Sequence, residues 1–294
     1  MLLQQIINGL TIGSTYALVA IGFTLVFGVL ELPNFANGSL YMLGAYFTLI
    51  FFTALNGSFI IAVILSILFT GLAGYLLDRF ALRLLRKQNA PRLTAIITTL
   101  GAAMLIEHGI MVFIGSETRS FPNVFMDFGT IRIGDAAVVT WTQIILFLVA
   151  ASLMLLLSFL LYRTKLGKAM RSTAQNLDAA RLMGININRV ISFTFICSGF
   201  LASIAGTMVG MLYHTVGATM SQQIGMKVFA SAILGGVGVL PGAMVGGLLL
   251  GVIEAIVAGY ISSGYRDAIA FTILILVLLF RPTGLFGQKQ ITKV

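Results

Sequence analysis

The chain has 294 residues, of which 59 % are hydrophobic types and only 9 % are charged. Soluble domains usually carry about 25 % charged residues, so this composition excludes an ordinary water-exposed surface. The net charge of +9 comes from basic residues in short loops between apolar runs. That distribution is typical of a membrane protein and argues against nucleic-acid binding.

The apolar runs predict an all-α, polytopic membrane protein with one transmembrane domain over residues 1–294. A transmembrane helix needs about 20 apolar residues, and the run 144–161 is apolar on every face, unlike the alternating strands of a barrel. The first 30 residues lack the basic start of a signal peptide. In chain order, about eight hydrophobic segments are predicted at 5–30, 31–54, 59–78, 94–114, 141–162, 190–213, 227–258 and 267–280.

Two of these segments contain turn signals. The first break runs from Glu31 to Gly38, where proline removes a backbone donor and disfavours helix before it. It is either a cytoplasmic loop or an interruption at some depth in the membrane. The second interrupts 227–258, which is too long for one straight crossing, and its turn residues are Gly235, Gly236, Gly238, Pro241 and Gly242.

Charge placement predicts the orientation. One loop carries Arg79, Arg83, Arg86, Lys87 and Arg92, a second lies between Arg163 and Arg189, and the tail carries Arg281, Lys289 and Lys293. Basic loops are cytoplasmic by the positive-inside rule. Segment 115–140 is predicted to be external because its charges are mixed: Glu117, Asp127, Asp135, Arg119 and Arg132.

Each membrane crossing changes the side on which the chain lies. Counting the crossings from these loops therefore places the N-terminus outside and the C-terminus in the cytoplasm. With those ends fixed, segment 227–258 must begin and end on the outer side, so it is predicted to be a broken or re-entrant hairpin. After its break, Gly242, Ala243, Gly246 and Gly247 form a small-residue face. Such a face suits close helix packing, and lining of a solute path is the alternative.

Three ionisable residues lie inside hydrophobic segments: Glu107, His108 and Glu254. Intramembrane ionisable groups often mark a solute or proton pathway, although each of these could equally make an interhelical hydrogen bond or lie near the interface. No catalytic constellation, metal-ligand spacing, cofactor motif or nucleotide-binding G-x-x-x-x-G-K-[ST] pattern is found in the sequence. We therefore expect no enzyme activity, and ATP-driven transport would need an ATPase on another chain.

The second basic loop predicts a short helix over 169–183. Asn176 is placed to cap a turn before Asp178, and Gly184 is placed to end the helix. Its mixed surface, with Ala180 and Leu182 beside Arg181, suits docking to a cytosolic partner. A solvated or membrane-surface helix is the alternative interpretation.

The loop pattern Ala174-x-x-x-Asp178-x-Ala180-x-x-x-Gly184-Ile185 resembles the coupling loop of ABC-importer permeases. Over the whole chain the sequence is similar to the LivH type of branched-chain amino acid permease. Further likeness lies in 8–18, in Asn34-Phe-Ala-Asn37-Gly38, in 232–247 and in the ending 281–287. One departure is Asn37, because the family usually has histidine there, which puts any role of an imidazole in doubt.

The resemblance implies a permease subunit of the bacterial cytoplasmic (inner) membrane that works by alternating access. Its implied partners are a second, LivM-type permease, two cytosolic ATPase subunits and an extracytoplasmic binding protein. The residues implied for ATPase coupling are Ala174, Asn176, Asp178, Ala180, Arg181, Gly184 and Ile185. Those expected along the translocation path are Pro33, Asn34, Asn37, Gly38, Gly235, Gly236, Gly238, Pro241 and Gly242.

The substrate implied by the resemblance is a branched-chain amino acid. Related permeases carry urea or short amides, so these stay open. A secondary carrier or channel for a small polar solute is the other alternative, although the coupling-like loop and the scarcity of intramembrane charges argue against it.

Overall fold

The computed structural model describes residues 1–30, 32–88, 90–122, 129–133, 137–281 and 283–287. Several charged residues from which the orientation is predicted lie outside these ranges, as do the first residue of the first break and the second residue of the ending 281–287. These are Glu31, Asp127, Asp135, Pro282, Lys289 and Lys293, together with the side chain of Arg92.

Helices make up almost all of the described structure, which confirms the all-α polytopic prediction. In chain order they are α1 (Leu2–Leu30), α2 (Asn37–Ala54), α3 (Phe59–Leu76), a π-helical turn (Leu77–Leu82), α4 (Arg83–Lys87), α5 (Arg92–Phe113), α6 (Trp141–Arg163), α7 (Lys165–Gln175), α8 (Leu177–Leu182), α9 (Ile187–Tyr213), α10 (Met220–Gly235), α11 (Leu240–Tyr260), a 3₁₀ turn (Ser263–Tyr265) and α12 (Arg266–Phe280). Within the described ranges, seven helices are long and apolar enough to cross a membrane.

Three predicted segment boundaries were wrong. The helix expected from 31 begins only at Asn37, because the Pro33 region is not helical. The segment 59–78 continues as helix, through the π-helical turn, to Lys87. The segment expected from 227 starts at Met220, since the polar run before Lys227 is helical as well.

Helix α1 lies at the centre of the bundle, and its stretch from Tyr16 to Val26 is buried throughout. It packs along α11 and also contacts α9, α10 and α6. The α1–α11 approach depends on glycine, because a Cβ added at Gly13 would lie 2.9 Å from Leu248 Cα. Small residues allow such backbone proximity between membrane helices. Gly242, Gly246 and Gly247 all lie against backbone atoms of neighbouring helices, which supports their interpretation as packing residues.

Short strands gather at one end of the bundle, here called the strand end. β1 (Arg119–Ser120) pairs antiparallel with β4 (Thr215–Val216), and β2 (Thr130–Ile133) pairs antiparallel with β3 (Ala137–Thr140). The start of α1 lies at this end, since the Val138 backbone N–H donates to Gln4 Oε1 at 2.7 Å. The sequence did not predict these strands.

The described parts of both basic loops lie at the opposite end, here called the basic end. Asp78, in the π-helical turn, joins them, because it is fully buried and accepts from Arg86 Nη2 and from Ser192 Oγ near the start of α9, each at 2.6 Å. Residues 283–287 also lie at this end, where Phe286 N–H donates to the Gly235 carbonyl at 3.0 Å. The start of α1 and residues 283–287 are thus at opposite ends of the bundle, and the side of the membrane on which each lies stays a prediction.

Candidate functional site

The first break is an interruption deep inside the bundle. Asn37, the first residue of α2, donates from Nδ2 to the Val19 carbonyl in the middle of α1 at 3.1 Å. Val19 precedes Leu30, the end of α1, by eleven residues, which is about 16 Å at 1.5 Å per residue. That is about half of the hydrocarbon thickness. After α1 the chain therefore returns through non-helical residues to mid-depth before α2 starts.

Asn37 ties three helices together at this depth. Its Oδ1 accepts from Ser198 Oγ of α9 at 2.8 Å, while its Nδ2 binds α1. Asn34 supports the turn by accepting the Ala36 backbone N–H on Oδ1 at 3.2 Å. Both asparagines are buried, and the Asn34 Nδ2 makes no hydrogen bond to any described residue. The polar break is thus largely satisfied from within the protein, as membrane burial requires.

We expect the Asn37→Leu variant to be less stable by about 1–3 kcal/mol. The substitution leaves the Val19 carbonyl and the Ser198 hydroxyl without their partner in a buried place. The shift of the thermal unfolding midpoint in detergent measures this loss. Asn188→Leu is the matched control, because Asn188 is exposed on the first turn of α9. Equal midpoints for both variants would contradict the role assigned to Asn37.

Helix α10 begins beside the start of α2. A Cβ at Gly38 would collide with the Ser221 carbonyl and lie 3.1 Å from Gly225 Cα. In the first turn of α10, Ser221 Oγ donates to the buried Glu107 Oε2 at 2.7 Å. A carboxylate is favourable near a helix N-terminus. Glu107 therefore makes an interhelical bond that anchors α5 to α10. The neighbouring His108 is exposed, and its Nδ1 lies 2.8 Å from the Met104 carbonyl of its own helix.

An ion cluster lies on the other side of α10. Lys227 Nζ is 3.1 Å from each carboxylate oxygen of Glu254 on α11, and 2.8 Å from Asp267 Oδ1 at the start of α12. Tyr16 of α1 donates its hydroxyl to Glu254 Oε2 at 3.0 Å. Lys227 is 9 % exposed and Glu254 is 1 % exposed. The buried charges are thus paired, which is the condition for keeping them inside the bundle.

The sequence analysis selected Glu254 but missed Lys227, its partner. The signal was present, because Lys227 is the one charged residue between Val190 and Ile253. Intramembrane lysines are rare and costly. Placing a predicted segment boundary at this residue concealed the signal.

Lys227 borders a cavity of about 340 Å³ near the strand end, here called the polar cavity. Its size falls in the range of small-molecule sites. Hydrophobic side chains such as Ile12, Val209 and Ile224 alternate around it with polar groups. The polar groups include Tyr16, Tyr41, Tyr213, Gln223, Lys227 and Arg266.

The second break is the turn of a helical hairpin. Helix α10 ends at Gly235. In the turn that follows, the φ values are 112° for Gly236 and 84° for Gly238. Helix α11 then starts at Leu240, with Pro241 in its first turn. Positive φ values favour glycine, and proline suits the first helical turn. Gly235 and Gly242 face each other so closely that neither site has room for a Cβ. The predicted hairpin is therefore present.

The two breaks lie at different depths. The hairpin turn is at the basic end, where a Cβ on Gly28 of α1 would be 3.9 Å from Gly238 Cα. The first break lies at the level of Val19. The structure therefore does not bring the two predicted path segments together, and the polar cavity is bordered by other residues. Pro33 is half-buried and Pro241 is exposed.

The predicted coupling helix is two helices. Asn176 has an extended backbone, with φ of −161° and ψ of 113°, and it ends α7. Its Oδ1 then accepts the backbone N–H groups of Asp178 and Ala179 at 3.0 Å each, which caps α8. The prediction of one continuous helix over 169–183 was wrong, because Asn176 breaks it before capping the next one.

Gly184 ends α8 as the sequence predicts. Its φ is 80°, its N–H donates to Arg181 O at 3.0 Å, and the Ile185 N–H donates to Ala180 O at 3.1 Å. These two bonds form a Schellman motif. Within α8, Ala180 is buried and Asp178 and Arg181 are exposed. The apolar Leu182 and Met183 are 89 % and 82 % exposed at its tip.

Helix α7 lies close to the hairpin turn. Ala174 and Arg171 of α7 border a cavity of about 100 Å³ together with Thr24 of α1 and Gly238 and Leu240 of the hairpin. The α7 position is fixed by Arg171 Nη1, which donates to the Leu161 carbonyl at the end of α6, and by the Thr164 cap. Helix α7 of the second basic loop therefore lies beside the hairpin turn, with this small cavity between them.

These features define a class: a helical, polytopic membrane transport protein with interrupted helices and a polar interior. The model of the family described as "Branched-chain amino acid transport system / permease component" matches residues 5–278. The chain belongs to this family of permease components, and it is a multi-pass protein of the cytoplasmic membrane.

Individual relatives are similar over nearly their full length. The "high-affinity branched-chain amino acid transport system permease protein BraD" of Pseudomonas aeruginosa is 40 % identical, with 99 % of this chain and 98 % of that protein covered. The LivH permease protein of Escherichia coli K12, with the same description, is 36 % identical, with 99 % and 97 % covered. These relatives are transport permease subunits.

A solved structure, "PsaBC from Streptococcus pneumoniae in complex with Fab", has a similar fold. Its TM-score is 0.51 at 14 % sequence identity, with 94 % of this chain and 91 % of that chain covered. At this identity the likeness extends to the fold alone.

Proposed function

We propose that the chain is a membrane-spanning permease subunit of an ABC importer that carries branched-chain amino acids across the cytoplasmic membrane. The observation that carries this proposal is the 40 % identity, over almost the whole chain, to a branched-chain amino acid permease protein. The subunit performs no chemistry itself. ATP is hydrolysed by partner chains, in keeping with the lack of a nucleotide-binding motif in the sequence.

The proposed partners are two cytosolic ATPase subunits, an extracytoplasmic binding protein and a second, LivM-type permease. The basic end supports an ATPase contact, because the exposed Leu182 and Met183 form an apolar tip on a rigidly capped α8. Exposed apolar anchors surrounded by polar residues are typical of binding surfaces. With the basic end in the cytoplasm, this tip faces the ATPases and the strand end faces the binding protein.

We propose that the coupling residues from Ala174 to Ile185 transmit the ATPase motion to the hairpin. Helix α7 supports this role because it lies beside the turn at Gly238, across the 100 Å³ cavity. The open surroundings of Gly238, where an added Cβ would meet nothing within 4 Å, leave room for movement. In this proposal, the α10–α11 hairpin shifts against α1 and so opens the path to one side of the membrane at a time. Both broken segments lie beside the helices that move.

Competition for uptake tests the substrate class. In cells that express the complete transporter and lack their own branched-chain amino acid uptake, we expect unlabelled isoleucine and valine to inhibit the uptake of labelled leucine. Equimolar urea and acetamide should leave the rate unchanged, because neither has an aliphatic side chain or a zwitterionic head. Uptake of labelled urea without any uptake of leucine would contradict the proposed substrate and favour the amide-type alternative.

A further inference from the structure

We propose that Lys227 and Tyr41 bind the α-carboxylate of the transported amino acid in the polar cavity. This inference rests on the proposed function, from which it takes the substrate class, and it adds the residues that hold the head group. Neither residue is among those that the sequence predicts for the path.

The first observation is the position of the Lys227 ammonium. It borders the polar cavity and forms ion pairs with two carboxylates, an inner one and an outer one. The inner one, Glu254, is 1 % exposed and is held in place by Tyr16. The side chain of the outer one, Asp267, is 57 % exposed and lies 2.8 Å from Nζ. Because more than half of the Asp267 side chain is in solvent, this carboxylate can leave the ammonium and be replaced by a carboxylate that arrives through the cavity.

The second observation is independent of the first. Tyr41 borders the same cavity, is 0 % exposed, and its hydroxyl makes no hydrogen bond within the described structure. Buried hydroxyl groups are nearly always bonded, and an unbonded one is costly. A ligand carboxylate in the cavity would accept one hydrogen bond from the Tyr41 hydroxyl and another from the Lys227 ammonium.

The remaining cavity wall suits the rest of an aliphatic amino acid. Ile12, Val209 and Ile224 offer apolar contacts for a branched side chain. Arg266, which also borders the cavity, has a buried Nε that makes no hydrogen bond to the part of the chain that the structure describes. Both cationic side chains thus border a cavity whose wall is part polar and part apolar, and a carboxylate is the substrate group that such cations attract.

The alternative is that Lys227 only neutralises Glu254 and joins α10 to α11. Replacing only one partner of a buried ion pair leaves the other charge unpaired and destabilises the protein. A single Lys227 variant therefore does not separate substrate binding from a structural role. Tyr41→Phe does separate them. It removes one oxygen that has no hydrogen-bond partner among the described residues, so a purely structural role of Lys227 predicts no effect of this change.

The test uses the complete transporter in proteoliposomes, with saturating leucine-loaded binding protein and ATP. We expect Tyr41→Phe to keep the wild-type unfolding midpoint, while its rate of leucine uptake falls about tenfold, as for loss of a hydrogen bond to a charged group. The double variant Lys227→Met/Glu254→Gln removes both buried charges and leaves only the exposed Asp267 without its partner, so it should assemble and also lose uptake. Asp267→Asn removes the carboxylate that the substrate displaces, so its uptake should equal or exceed that of the wild type.

Wild-type uptake by Tyr41→Phe, or full uptake by the double variant, would overturn the carboxylate site and leave the proposed function intact. A wild-type complex that imports no branched-chain amino acid would contradict the proposed function itself. Because the wild-type and variant complexes are assayed side by side, the two failures are distinguishable.

Discussion

A Gly251→Leu variant is expected to give almost no folded protein. Gly251 of α11 lies against Gly13 of α1 so closely that a Cβ would collide with the Gly13 backbone and lie 2.6 Å from the Gly9 carbonyl. These are backbone atoms of the central helix, so no side-chain rotation relieves the collision. Overpacking costs about 1–3 kcal/mol or more, and the whole protein is stabilised by only about 5–15 kcal/mol.

The yield of monodisperse protein in detergent and its unfolding midpoint measure this effect. Gly101→Leu is the matched control, because Gly101 is exposed on α5 and a Cβ there would meet no atom within 4 Å. That control should be as stable as the wild type, or slightly more stable, since glycine disfavours a helix by about 1 kcal/mol relative to alanine. If Gly251→Leu matched Gly101→Leu in yield and midpoint, the α1–α11 contact would not be the centre of the fold.

The second large effect is expected at the tip of α8. The double variant Leu182→Glu/Met183→Glu should fold normally, because both side chains are exposed and make no core contact. Its ATP-driven uptake should fall at least about tenfold. Truncating an anchoring side chain of an interface costs about 2 kcal/mol or more, and about 1.4 kcal/mol corresponds to a factor of ten.

Uptake and co-purification of the ATPase subunits are the two measurements for this variant. The conservative double variant Leu182→Ile/Met183→Leu keeps the apolar surface and should transport at the wild-type rate. Normal ATPase binding and uptake by the glutamate variant would show that the partner contacts another surface of the basic end.

Much of the fold was predictable because membrane helices leave strong local signals. The positions of both breaks followed from Pro33 and from the glycine-rich run 235–242, since these residues disfavour helix wherever they occur. Gly184 was recognised as a helix end for the same local reason. The depth of the first break was not predictable, because it depends on a hydrogen bond between Asn37 and Val19, which are on different helices.

The polar site was harder to predict than the fold. Lys227, Tyr16 and Glu254 come from three helices, and only their packing brings them together. A tyrosine in a hydrophobic segment gives no sign of whether its hydroxyl is bonded, so Tyr41 could not be singled out. The division at Asn176 was missed because asparagine both interrupts helices and caps them, and the sequence analysis used only the second property.

The central claim is that this chain forms the membrane path of an ATP-driven importer of branched-chain amino acids. The most direct test is uptake of labelled leucine by proteoliposomes that contain the permease pair and the ATPase subunits, with loaded binding protein on one side and ATP on the other. We predict accumulation against a gradient that stops when ATP is replaced by a non-hydrolysable analogue. Equal leucine entry with and without hydrolysable ATP would contradict the claim and indicate a carrier or channel.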